Sequence, residues 1–93
     1  MKKKELPLDD FLLDLRRKGF KFADDVIGFI YFGKQYTAAS DSIIKAAIEI
    51  TLKTQKEFDG SFYISLLESL KHNNIHSRNH AFKYAEKIGL LTI

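Results

Sequence analysis

Apolar residues recur at three- and four-residue intervals along several stretches of this chain, and each stretch is bracketed by residues that start or stop helices. That punctuation limits the fold more than any bulk property does. Leu8, Phe11, Leu12 and Leu15 share one face of a helix expected over 6–18. Pro7, Asp9 and Asp10 suit its first turn, Arg16, Arg17 and Lys18 suit its negative end, and Gly19 is placed to stop it. Ser40 is the expected cap of a helix running from Asp41 to about Phe58, whose stripe is Ile43, Ile44, Ala47, Ile48, Thr51 and Leu52. Asp59-Gly60 is expected to end it, and Ser61 to cap a further helix with Phe62, Tyr63, Leu66, Leu67 and Leu70 inside. Asn73-Asn74 breaks that helix, and Ser77 to Ile88 forms the last one, stopped by Gly89.

The stretch FKFADDVIGFIYFGKQY, residues 20–36, is ambiguous. Val26 to Phe32 is β-branched and aromatic and bounded by glycine, as a buried strand would be. Asp24 and Asp25 nevertheless make a reasonable helix start, and Val26, Phe29, Ile30 and Gly33 fall on one helical face, so a helix is favoured. The expected architecture is mainly α, one domain of four to five helices spanning 1–93, with a short strand at 26–32 or in Leu90–Ile93 as the alternative. Residues 1–5 would form a basic arm.

Ninety-three residues suffice for one core, and a 45% hydrophobic and 13% aromatic content fills it. There is no cysteine, which removes disulfides, thiol catalysis and cysteine-ligated metals. Met1-Lys2-Lys3-Lys4-Glu5 is not followed by the apolar run of a signal peptide, and the longest apolar run falls far short of the ~18 residues a membrane span needs. A cytoplasmic protein without membrane attachment is expected.

Little in the chain points to chemistry. Asp9-Asp10 and Asp24-Asp25 are adjacent pairs that diverge by about 100° on a helix, so they read as first-turn acids and not as a general acid and base. The glycines at 28 and 33 lack the spacing and the following lysine of a phosphate loop. His72, His76 and His80 are four apart, but Asn73-Asn74 separates the first from the second, and no cysteine completes a metal set. The expectation is a non-enzymatic protein with no catalytic residue, no metal and no cofactor.

The net charge is +3 and the pI about 9.2. On the last helix His76, His80, Lys83 and Lys87 form a narrow strip opposite Phe82, Ala85 and Gly89, with Ala81 and Ile88 on the flank. The stretch SFYISLLESLKHNNIHSRNHAFKYAEKIGLLTI, residues 61–93, resembles a helix-turn-helix of the winged-helix kind. In it 61–72 matches the supporting helix, Ile75 the apolar turn residue, Ser77–Ile88 the recognition helix, and AEKIGLLTI the run into the first wing strand. The departures are a bulkier turn at Lys71-His72-Asn73-Asn74, Arg78 where the family places an inward aliphatic side chain, and no second wing strand. The resemblance implies double-stranded DNA binding, often as a dimer and often in transcription regulation. Arg78, Asn79, His80, Lys83 and Lys87 would face the nucleic acid, with His76 beside them and Lys2, Lys3 and Lys4 on phosphates.

A different class of function is motivated by residues 20–36, which hold more aromatic surface than one neighbouring helix covers. Phe29, Tyr31, Phe32 and Tyr36 are the candidate interface of a protein-interaction module, an adaptor, inhibitor or small subunit of a larger protein or ribonucleoprotein assembly, or of a homodimer.

Overall fold

Six consecutive residues, Ile43 to Ile48, are buried. A helix apolar on all sides needs neighbours on all sides, and that requirement organises the molecule. The computed structural model describes residues 6–91. It is all-helical over that range: α1 (Leu8–Arg17), α2 (Asp24–Thr37), α3 (Asp41–Gln55), α4 (Gly60–His72) and α5 (Arg78–Lys87). The other four helices each pack on α3, and α2 also packs on α4. Ile44, Ile48 and Ile50 are fully buried, each contributing roughly 1.5–3 kcal/mol by leaving water.

The polar groups drawn into this core find hydrogen-bond partners. Thr51 and Thr37 turn their hydroxyls back to the carbonyls of Ala47 (2.7 Å) and Gly33 (2.8 Å). Lys45 runs its stem along the core, and its ammonium donates to the Leu6 carbonyl at 2.5 Å while lying 5.9 Å from the Phe11 ring. Buried Tyr63 donates to the Ile30 carbonyl at 2.8 Å, tying α4 to α2, and burial pushes its phenol well above the usual range.

Helix ends follow local chemistry in most places. Ser40 and Ser77 accept from the N–H groups of Ile43 and His80. α1, α4 and α5 share one C-terminal device, in which a residue with positive φ follows the cap: Gly19, Asn74 and Gly89. The next N–H then reaches back to close the last turn, from Phe20 to Leu15, Ile75 to Leu70 and Leu90 to Ala85. α1 starts two residues later than its pattern suggests, at Leu8, with Pro7 as a cap whose ring has no hydrogen-bond acceptor to offer. Asp41 supplies the missing acceptor from α3: one carboxylate oxygen takes the Leu8 N–H at 3.0 Å and the other takes Lys34 Nζ at 2.6 Å. Lys34 foremost, and the Leu8 N–H next, hold the Asp41 carboxyl below its ordinary range.

Residues 26–32 are helix, as favoured, and the alternative strand does not form, because Val26, Ile30, Gly33 and Thr37 make one inward face at helical spacing. Other expectations are corrected. Leu90 and Leu91 form no strand, and Thr92 and Ile93 lie outside the described residues. α3 ends at Gln55, where Lys56 takes a left-handed conformation (φ 70°), not at Asp59-Gly60. Asp59 and not Ser61 caps α4, accepting from the Phe62 N–H at 3.1 Å. Gly60 is thus the first residue of that helix, and the Phe29 ring lies where a Cβ would stand, 2.6 Å away. The inner face of α5 is centred on buried Ala81 and Ala85, while Ile88 is exposed.

Candidate functional site

Two surfaces carry the candidate residues. The first is the outer side of α2. At about 100° per residue Asp25, Phe29, Phe32 and Tyr36 fall within roughly 60° of one another, and their exposure agrees: 38% for Phe29, 53% for Phe32 and 55% for Tyr36. The three rings form a ladder, with centroids 6.1 Å apart from Phe29 to Phe32 and 5.5 Å apart, stacked, from Phe32 to Tyr36. Tyr36 Oη donates to Glu68 at 3.0 Å, which raises the phenol pKa and holds the ring in place. Gly28 lies beside the ladder, and beyond its own stretch of helix backbone no heavy atom comes within 4 Å of where its Cβ would stand.

Tyr31 is not part of this face. It sits at least 100° from each ring of the ladder, is half-buried, and donates its hydroxyl to Asp9 of α1. Phe22 also turns inward, edge-on to Phe58 at 6.2 Å. Phe20 is exposed at the α1–α2 turn, where with Leu13 it borders a shallow groove floored by Leu12 and Ile27. The aromatic excess of residues 20–36 therefore splits between core contacts and one exposed seam.

The second surface is the outer side of α5. Ile75, buried in the turn, anchors the link from α4, and Ala81 and Ala85 bring α5 onto α3. This leaves His76, His80, Lys83 and Lys87 exposed together, with Asn79 alongside. Arg78 does not join them. Its guanidinium pairs with Glu49 of α3 and lies 4.7 Å from the centroid of the Phe82 ring, so the position that should hold an inward aliphatic side chain holds a partly exposed ion pair to α3. Asn73 spans the turn, donating to the Ser69 carbonyl at 2.7 Å and reaching the Tyr84 hydroxyl at 3.4 Å. Lys2, Lys3 and Lys4 lie outside the described residues.

Sequence reasoning missed the Asp41 junction, the Arg78–Glu49 pair and the bare side of Gly28. The Leu8–Asp41 and Arg78–Glu49 contacts join residues 29 or more apart in the chain and leave no local signal. The third was readable, since 28 lies on the turn preceding Phe29 and Phe32. Among the described residues no group of three histidine, cysteine or acidic side chains is arranged to hold a metal. No described helix is long and apolar enough to cross a membrane.

The molecule is thus a small all-helical domain with an aromatic seam on one helix and a basic strip on another. The chain matches, over residues 2–91, the family described as a family of unknown function, DUF6123, and belongs to that family. Comparison with curated proteins and with solved structures finds no match in either.

Proposed function

We propose that this chain is a non-enzymatic binding module that engages a protein through the outer face of α2. The observation that carries the reading is the ladder of Phe29, Phe32 and Tyr36. Three adjacent rings keep between 38% and 55% of their surface in water on a helix whose opposite face holds buried Ile30, Gly33 and Thr37. Isolated exposed apolar residues are ordinary, whereas a contiguous aromatic patch is characteristic of interaction sites. The test is a photo-crosslinking residue placed at Phe32 in cells, with Lys56 in the exposed α3–α4 turn as control. A polypeptide adduct at 32 and none at 56 is expected; no adduct at 32 sinks the reading.

A second reading, duplex DNA binding through α5 in the manner of a helix-turn-helix regulator, is favoured by the common exposure of His76, His80, Lys83 and Lys87. Lys83 and Lys87 would meet phosphates, Asn79 or His80 would reach base edges, and Arg78 would first have to leave Glu49. Anisotropy of labelled duplex DNA against salt checks this. Two lysine–phosphate contacts give a log–log slope of about −2, and Lys83→Glu with Lys87→Glu should abolish binding. Unchanged affinity in that double variant rules α5 out as the contact.

A further inference from the structure

The occupant of the α2 face is the question the ladder leaves open, and three features of the face point to the same answer. The first is glycine placement. Glycine inside a helix costs about 1 kcal/mol relative to alanine, and two of the three helical glycines have an internal reason to be there. A Cβ on Gly33 would stand 2.7 Å from the Tyr63 ring, and one on Gly60 would stand 2.6 Å from the Phe29 ring. Around Gly28 no side chain and no other element of the protomer comes within 4 Å of where a Cβ would stand, so whatever benefits from the missing side chain approaches from outside.

The second is symmetry of shape. Gly28 lies four residues before Phe32 and Tyr36 four residues after it, about 6 Å along the axis in each direction. A notch and a projecting ring equidistant from a central ring are complementary to their own image under a two-fold rotation. The third is charge. The stretch from Gly28 to Tyr36 presents no charged side chain on this face. Asp25 lies at one end of the face, and Lys71 and His72 line the depression beside Tyr36 at the other. The Glu68 carboxylate in that depression already accepts the Tyr36 hydroxyl. A face that is acidic at one end and basic at the other, with an uncharged middle, meets its own antiparallel copy favourably at both ends.

We infer that the outer face of α2 pairs with the same face of a second copy of this chain, antiparallel about Phe32, with Tyr36 of each copy seated on Gly28 of the other. This rests on reading α2 as a protein-binding face and names its occupant. Phe32 meets its symmetry mate on the axis, and Asp25 faces the Lys71–His72 end of the partner. Each ring has about half of the ~150–250 Å2 that an aromatic residue buries still to lose, on the order of 300 Å2 for the three. That is well below the ~800 Å2 per partner of a standard interface, so the dimer is a weak, reversible one.

Sedimentation equilibrium of the full chain, from low micromolar to near-millimolar concentration, tests this. The expected result is a monomer that converts to a dimer across the range. Phe32→Glu places like charges on the axis and should hold the chain monomeric without loss of helicity. Gly28→Leu should do the same while leaving the fold intact, since a Cβ at that position meets no other element of the protomer. The cysteine-free chain also allows an orientation test. Under mild oxidation a mixture of Gly28→Cys and Tyr36→Cys should yield the crossed disulfide in excess over either homodimer. A chain monomeric at near-millimolar concentration, a dimer indifferent to both Phe32→Glu and Gly28→Leu, or a preference for the homodisulfides overturns the inference. A monomer whose residue 32 still crosslinks to a foreign polypeptide overturns the second copy but leaves α2 as a binding face. A monomer with no adduct removes both.

Discussion

The two sides of α2 are made of similar residue types and do opposite things. On the inner side Ile30 is fully buried and Gly33 lets α4 approach until Tyr63 and Leu67 fill the space a side chain would occupy. On the outer side Phe29, Phe32 and Tyr36 remain exposed, and Gly28 adjoins nothing. Hydrophobicity and glycine content do not separate the two. What separates them is whether another element of the same chain is there to complete the packing.

The comparison is broken most severely at its glycines. Gly33→Leu forces a branched side chain into space held by Tyr63 and Leu67, both buried and both on α4, and should destabilise the fold by about 3 kcal/mol or more. Gly28→Ala, five residues away in the same helix, should stabilise the monomer by ~0.5–1 kcal/mol through helix propensity alone. Thermal melts at a concentration where the chain is monomeric would show midpoints moving in opposite directions. A fall for Gly28→Ala would mean that the outer glycine has an internal role after all.

A smaller effect sits on the flank between the two sides, where Lys34 reaches Asp41. Asp41→Ala removes that pair and the carboxylate that accepts from the Leu8 N–H at the start of α1, at a cost of about 1 kcal/mol, kept low because both partners are over a third exposed. The pH dependence has a definite sign. The folded carboxyl titrates below its ordinary value of 3.8, so the unfolded chain binds the proton more readily. The contribution of Asp41 is therefore complete at neutral pH and is lost as pH falls from about 4 through the lowered folded value. Urea melts of wild type and Asp41→Asn should converge across that window. A difference that persists at the acid end would place its origin in packing and not in charge.

How much of this was legible in the sequence depended on the range of the interaction. Ser40 and Ser77 as caps, and Gly19 and Gly89 as stops, were readable because each works on backbone groups within a few residues of itself. The start of α4 was not, because Asp59 and Ser61 are both good caps two residues apart. The choice between them coincides with the Phe29 ring lying over Gly60, a contact across 31 residues of chain. The same limit applied to the candidate sites. Phe29, Phe32 and Tyr36 share a face by spacing alone, but Tyr31 was grouped with them on composition, and only the position of α1 shows it turned toward Asp9. On α5 the exposed strip followed from projection, whereas the withdrawal of Arg78 depended on Glu49 in another helix.

The smallest expected change is the one that bears most directly on function. Phe32 is 53% exposed, touches Phe29 and Tyr36 in the ladder, and is not among the residues packed against the buried core. In the monomer, Phe32→Ala gives up part of two ring contacts and gains helix propensity, since alanine is the better helix former. The two nearly cancel, leaving a change within about 0.5 kcal/mol. Ile30→Ala, on the buried side of the same turn, removes a fully buried side chain and should cost ~2–5 kcal/mol. Measured together by chemical denaturation, the pair isolates burial from residue chemistry. A cost for Phe32→Ala approaching that of Ile30→Ala would make the ladder part of the fold. A value near zero leaves the central ring, Phe32, with no structural duty inside the protomer, and its exposure is then explained only by what α2 meets outside it.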